Sequence, residues 1–384
     1  MGLFFYKGKR GMAYRLLIVL YIKKQMKMKQ LSTILSTMAI LGSIPAFACT
    51  GISLRSIDGS KVIARTIEWG GSDLKSLYVI VPRGHTQISL TPEGFNGKQF
   101  TSRYGYVGLA VESKEYIAEG INERGLAGGL FYFPGSGKYV EYNSAEKDNT
   151  IADLQLVSYI LGRCSNIEDV KEEILRINIV NVDPRGSTLH WRFAQEDGKE
   201  IIVEIIDRKV TFHENTIGVI TNSPRYDWHI TNLNNYINLQ GGNTPEHRLG
   251  NISFHNFGHG SSMTGLPGDF TPPSRFVRAA FFVNTAPVKE KTIEVVEQCF
   301  HILNNFDIPI GTEFSPKEKV TNIPSATQWT SASDLKNRVI YYRTMYNSEI
   351  RYIDLKKIDF STTEFQVKPL DEHLHESMTE IEVQ

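Results

Sequence analysis

The chain has 384 residues, 41% hydrophobic and 22% charged, which is the composition of a globular protein. Its formal net charge of zero hides an asymmetry: eight of the 42 Lys/Arg, and no Asp or Glu, fall in the first 48 residues. Residues 49–384 therefore carry 34 basic against 42 acidic groups, a net of −8, which argues against a nucleic-acid backbone as partner.

The first 48 residues contain two apolar pieces, 16–22 and 31–44, separated by Lys23, Lys24, Lys27 and Lys29. Neither reaches the roughly 20 apolar residues of a spanning helix, and no later segment does, so no membrane span is expected after processing. A Lys-rich start, an apolar run and a closing Ala46-Phe47-Ala48 have the order of a signal peptide, whether translation starts at Met1, Met26 or Met28. The expectation is a leader over 1–48 that is removed, one domain over 49–384, and an exported product, periplasmic or secreted. Cleavage between Ala48 and Cys49 would give a first residue with both a thiol (pKa ~8.5) and a free α-amine (~7.7–8.0). Such a residue holds its own nucleophile and its own base, and no base exists while its nitrogen is still an amide. Two other readings stand beside this one. A lipoprotein signal also ends in Cys, but favours Leu three residues earlier, where Ala46 stands here; an ordinary structural cysteine is the other.

Past the leader, Cys49–Leu54 and 61–67 read as strands of a hairpin turning at Asp58-Gly59. Folding it back brings Arg65 within about two residues of the position opposite Cys49, with Glu68 at the open end. Strands follow at 77–81, 106–111, 116–118 and 126–133, the last two flanking the turn Gly120–Gly125. Helical spacing covers 151–161, and Ser165-Asn166-Ile167-Glu168 is a capping box opening a helix to about Ile177. Strands return at 189–193, 201–206, 210–213 and 218–221. A helix over 227–239 precedes a Gly/Asn/His-rich loop, 241–268. Two helices, 274–283 and 293–304, lead to strands near 327–330, 339–344 and 352–355, and the polar tail after Phe360 reads as loosely held. Strand blocks alternate with helix blocks, which disfavours a doubly wound parallel sheet and fits two sheets with helices outside.

Three cysteines, Cys49, Cys164 and Cys299, are too few for a disulfide scaffold; the last two lie among apolar residues in helical segments and read better as buried thiols than as a pair. His255 and His259 have His-x-x-x-His spacing, but in a loop without a neighbouring carboxylate, which favours a surface loop over a metal site. The Gly-rich run 125–129 opens a strand, not a helix, so it is no phosphate cradle. Alternation in Phe131-Tyr132-Phe133 would bury the two phenylalanines and turn Tyr132 the other way, toward a pocket.

An N-terminal cysteine needs a cation beside its thiol, a group holding its amine and donors for a tetrahedral oxyanion. Arg65 can supply the first and Glu68 the second. The stretches Cys49-Thr50-Gly51, Ala64-Arg65-Thr66-Ile67-Glu68, Glu119–Leu126, Thr221-Asn222-Ser223-Pro224 and Leu266–Arg278 resemble the choloylglycine hydrolase and penicillin V acylase family of N-terminal-nucleophile cysteine amidohydrolases. The resemblance implies an α+β fold, a four-layer αββα sandwich of two mostly antiparallel sheets. By position it makes Cys49 the nucleophile, Arg65 the arginine beside it, and Arg275 the second arginine. It puts Glu68 where the family usually has Asp, the backbone N–H of Asn122 in the oxyanion hole, and the side chain of Asn222 as the other donor. It implies no metal and no cofactor, a small amphipathic amide substrate such as a conjugated bile acid, and a homotetramer. Penicillin V acylase activity is the alternative within the family, and a lipid-anchored binding protein on the same fold is the alternative outside it.

Overall fold

The structure, a computed structural model, describes residues 47–183, 187–312 and 320–383, so the expected leader lies outside the described residues except for Phe47 and Ala48. Two antiparallel sheets organise the rest. Sheet I runs in the order β14 (Val219–Ile220), β1 (Phe47–Arg55), β2 (Lys61–Trp69), β17 (Thr327–Asp334), β18 (Val339–Thr344), β19 (Asn347–Asp354). Sheet II runs β13 (Lys209–Glu214), β12 (Glu200–Ile206), β11 (Leu189–Ala194), β8 (Ala127–Tyr132), β7 (Ile117–Asn122), β6 (Tyr106–Ala110), β3 (Leu77–Val81), β20 (Gln366–Pro369). Three two-stranded ribbons sit outside them: β4 (Thr86–Thr91) with β5 (Gly94–Thr101), β9 (Thr150–Ala152) with β10 (Asn178–Val180), and β15 (His247–Leu249) with β16 (Ile252–Phe254).

Helices α1 (Leu156–Arg163) and α2 (Ile167–Leu175) pack on sheet II. A short α3 (Tyr226–Asn232) follows β14, and α4 (Pro272–Thr285) and α5 (Thr292–Leu303) pack on sheet I. The sheets meet face to face, with Gly51 of β1 against Phe131 of β8 and Arg192 of β11. The layers are therefore helix, sheet, sheet, helix, the αββα sandwich expected. Both faces of each sheet are covered, so all six positions of β7, all six of β11 and all eight of β17 are buried. Polar as well as apolar side chains are therefore buried in these strands, among them Glu119, Arg192 and Asp334.

Several details differ from the sequence expectation. The helix expected over 151–161 begins only at Leu156, because Thr150–Ala152 is captured as a strand by β10. The capping box is displaced by one residue: the Asn166 side chain accepts from the N–H of Asp169 (3.0 Å), and the Asp169 carboxylate accepts from the N–H of Ser165 (3.0 Å). The Gly/Asn loop contains the β15–β16 hairpin, too short to show a periodicity. The tail is held as far as Asp371, and residues 372–383 beyond it are exposed. Its β20 pairs with β3, Phe360 and Leu370 are buried, and Arg351 pairs with Asp371 at 2.8 Å. Polar composition concealed an edge strand whose contribution is mostly backbone hydrogen bonding.

Candidate active site

The site is set by the register of the first hairpin. Opposite Cys49 stands Ile67, opposite Gly51 stands Arg65, and opposite Ala48 stands Glu68. Directly paired residues share a face, so Cys49 and Arg65 both turn toward sheet II, two positions apart, as the hairpin count anticipates. Gly51 leaves room for the side chains that close over it, Ile220, Phe131 and Arg192. A Cβ there would come within 2.6 Å of Ile220 and 2.9 Å of the Phe131 ring.

Arg65 is fully buried, which is costly for a cation unless it is well partnered. Its Nη1 donates to the carbonyls of Leu130 (2.5 Å) and Ala118 (3.0 Å), its guanidinium lies 4.1 Å from the Phe131 ring centroid, and Glu119 lies 3.7 Å away. Glu119 also faces Arg192 at 3.4 Å, so one buried carboxylate is shared between two arginines of different sheets. Burial pushes the Glu119 carboxyl up, while Arg192 and Arg65 pull it down. Gly129 opposite Glu119 leaves the carboxylate its place, since a Cβ there would sit 2.0 Å from the carboxylate oxygen and displace it.

Cys49 is buried at the start of β1. Its backbone N–H donates to Oδ1 of Asn222 (2.8 Å), and its carbonyl accepts from Nη1 of Arg275 (2.5 Å). Arg275 Nη2 donates to the same Asn222 Oδ1 (2.7 Å), and its Nε is held by the Phe270 carbonyl (2.8 Å). Asn222 Nδ2 donates to the Tyr132 carbonyl (2.7 Å). Residues distant in the chain, Cys49, Asn222, Arg275 and Tyr132, thus close around one thiol. Burial pushes that thiol up; Arg65 pulls it down, Glu68 pushes it up, and Arg275 and a backbone hydrogen bond from Tyr132 pull it down. The net is a raised value while Ala48 is still attached.

Of the six residues singled out in sequence, Cys49, Arg65, Asn222 and Arg275 are brought together. Glu68 is buried on the other face of β2 from Arg65, level with Ala48, the residue that precedes the scissile position. Asn122 is not brought to the cysteine. Its backbone N–H, expected in the oxyanion hole, donates to the Leu126 carbonyl (2.9 Å). Its side chain is spent as well: Nδ2 on the carbonyls of Leu161 (2.9 Å) and Cys164 (2.8 Å), and Oδ1 on the N–H groups of Arg124 (3.0 Å) and Leu126 (3.1 Å). Because Glu119 pairs with Gly129, Asn122 lies roughly six strand steps, about 20 Å, from the level of Tyr132. The backbone that does reach the thiol is that of Tyr132, at the end of β8. Sequence reasoning assigned the donor to the turn before that strand instead of to its far end; Tyr132 was singled out only as a pocket-lining ring.

The remaining cysteines are free. Cys164 caps α1 over sheet II and Cys299 lies in α5 over sheet I, on opposite outer layers, and burial pushes the Cys299 thiol up to about 12. His255 is exposed and lies 3.0 Å from Glu246, a carboxylate that sequence distance concealed.

Similarity to known proteins gives the family. Residues 49–368 match the family of linear amide C-N hydrolases, choloylglycine hydrolase family. The chain is 34% identical over 327 residues to the bile salt hydrolase/transferase of Clostridium perfringens, covering 83% of this chain and 95% of that one. It is 26% identical over 371 residues to the penicillin V acylase of Pectobacterium atrosepticum, covering 88% and 90%. Among solved structures, a conjugated bile acid hydrolase from Clostridium perfringens superposes with a TM-score of 0.75 at 32% identity, over 87% of this chain and all of that one. The match begins at Cys49, the residue around which the buried donors and arginines converge. The chain therefore belongs to the choloylglycine hydrolase family and is a linear amide C–N hydrolase.

Proposed function

We propose that the enzyme hydrolyses the amide of conjugated bile salts, releasing glycine or taurine, with Cys49 as N-terminal nucleophile. The observation that carries this reading is the set of bonds around Cys49: its nitrogen on Asn222, its carbonyl on Arg275, its thiol beside Arg65 and the Tyr132 backbone. In the mature protein the α-amine takes up the thiol proton and the Sγ–carbon bond forms, moving the carbonyl electrons to oxygen. That oxyanion takes hydrogen bonds from the Asn222 carboxamide and the Tyr132 N–H. On collapse the carbon–nitrogen bond breaks, the amine leaves with the proton held by the α-amine, and a thioester is left. Water then adds to the thioester, delivers a proton back through the amine, and releases the acid and free Cys49. Glu68, level with the residue that cleavage removes, holds the new ammonium; Arg65 supports the thiolate.

Bile salts are preferred over penicillin V because the bile salt hydrolases are the more similar relatives, and the same residues would serve both. Hydrolysis of glycocholate, taurocholate and penicillin V side by side decides it: turnover of penicillin V alone overturns the assignment. Export is part of the proposal, supported by Ala46-Phe47-Ala48 before Cys49. Intact mass of the secreted chain should begin at unmodified Cys49, and a diacylglyceryl adduct would mark a lipid-anchored protein instead. Self-association into a homotetramer is the corresponding assembly, supported by Leu249, Ile252 and Phe254 exposed on the β15–β16 hairpin. Light scattering on the eluted protein tests it.

A further inference from the structure

The loop that carries Asn222 is pinned from behind by two buried histidines that no step of the reaction uses. Nε2 of His190 lies 3.1 Å from the carbonyl of Thr221, and Nε2 of His229 lies 2.9 Å from the carbonyl of Asn222. A carbonyl can only accept, so both nitrogens carry the proton and donate. The two peptide units on either side of the Asn222 side chain are thereby each fixed by an imidazole. Neither ring is loose. His190 stacks on Phe133 at 4.3 Å and 9°, and His229 stacks on Phe276 at 4.6 Å and 10°. Behind His190 stands Glu204, 3.3 Å from Nδ1, whose same oxygen also accepts the Tyr226 N–H (2.8 Å) at the start of α3. His229 Nδ1 has no hydrogen-bond partner among the described residues, so its one polar contact is the Asn222 carbonyl.

We infer that His190 and His229 are positioning residues, which set the Thr221–Asn222 backbone so that the Asn222 carboxamide meets the oxyanion formed at Cys49. The inference rests on the proposed role of Asn222. Its force comes from the direction of the bonds. The Asn222 side chain is already shared between Cys49, Arg275 and Tyr132, so its placement is exacting. Misplacement by a fraction of an ångström there is felt in kcat, since well-oriented groups supply a large part of the acceleration.

Glutamine and asparagine separate this role from mere space filling. Gln places its amide nitrogen near the position of imidazole Nε2, and Asn places its own near Nδ1. Both lose the ring stacking alike. At each histidine, His→Gln should keep kcat within about threefold, whereas His→Asn should lower it by roughly tenfold or more with KM little changed. Rates are referred to sites titrated by alkylation of Cys49, so unfolded protein is not counted. Equal kcat in the Gln and Asn variants at both positions overturns the inference, and so does a tenfold loss in both Gln variants with unchanged Tm. The two histidines lie on different elements, β11 and α3, so a failure of one Asn variant to fold leaves the other pair decisive; if neither folds, the Gln variants alone still decide by whether kcat survives. Asn222→Ala is run alongside. Normal kcat in that variant shows that the reading of Asn222 is wrong, whereas a collapse there with both Asn-for-His variants normal removes only the positioning role.

Discussion

Two asparagines, each just before or within a turn, contrast a part of the molecule that holds the fold with the part on which the proposed chemistry rests. Asn122 closes the β7–β8 turn and ties it to the end of α1, and all four of its side-chain bonds go to backbone groups. Asn222 leaves β14 and spends its side chain on Cys49, Arg275 and Tyr132, which belong to β1, α4 and β8. Both are fully buried and both sit in recognisable sequence stretches. What separates them is the sequence distance of their partners: at most 42 residues for Asn122, and 53 to 173 for Asn222. A side chain that bonds its own neighbourhood stabilises a turn, while one that gathers distant strands builds a centre.

The largest effect should come from the centre's own first residue. Retaining one blocked residue before Cys49 leaves an amide that cannot accept a proton, in a chain already folded with Ala48 paired in β1. Activity should fall to background with Tm little changed, and alkylation of Cys49 should slow, because without the amine as base the thiol stays raised by burial and by Glu68. Full turnover by that protein would end the N-terminal-nucleophile reading. Cys49→Ser, correctly trimmed, should be nearly as inactive. Next comes Asn222→Ala, expected to cost roughly 10²–10³ in kcat as the loss of one oxyanion donor. A rise in KM with kcat intact would instead make Asn222 a substrate-binding residue.

Asn122→Ala sharpens the contrast from the other side. It strands two buried carbonyls and two N–H groups, so about 4 kcal/mol of stability should go, while kcat per titrated site stays at the wild-type value. Urea unfolding and steady-state kinetics on the same preparation read both. A fall in kcat as large as that of Asn222→Ala would return Asn122 to the active site and undo the division drawn between the two asparagines.

The four-layer fold and the Cys49–Arg65 pairing were legible because both rest on short-range rules: strand and helix order, and a hairpin whose turn fixes the register. Asn222 and Arg275 were legible only through family resemblance, since the partners that bring them to Cys49 and to each other lie 53 to 226 residues away. His190, Arg192, Glu200 and Glu204 were missed for a physical reason. In β11, His190 and Arg192 alternate with Leu189, Trp191 and Phe193, the pattern of a strand with one wet face, while in β12 Glu200 and Glu204 flank the apolar run Ile201-Ile202-Val203. Here both faces are covered, and the charged face is turned inward to the other sheet, where Arg192 donates to the Ile52 carbonyl (3.0 Å) and Lys61 pairs with Glu200 (2.6 Å). In a chain whose helix blocks cover both sheets, polar alternation marks an interior network and not a surface. Tyr132 escaped because its contribution is backbone, which no side chain announces.

The smallest expected effect is a change of slope with pH. Burial pulls His229 down to about 4, against a weaker upward pull from the Asn222 carbonyl, with His190 and Arg275 adding to the depression and Glu204 opposing it. Between the unfolded value near ~6.5 and about 4, the unfolded chain binds a proton that the folded chain refuses. Stability must therefore fall as pH drops through that window, by on the order of 3 kcal/mol in all for this one group. Glu204, held down to about 2, works in a different window: its contribution is present above ~4.5 and lost as pH falls toward about 2. His229→Gln removes the first term and leaves the second. Its stability should lie below that of the wild type at pH 7.5, by the lost ring stacking, and the gap should narrow or reverse near pH 4.5. Titrating groups remote from His229 are common to both proteins and cancel in the difference; those that act on its ring, His190, Arg275 and Glu204, shift it only slightly. Parallel stability curves from pH 7.5 to 4.5 would mean that the His229 ring takes up its proton in place, breaking its role as a neutral donor behind Asn222.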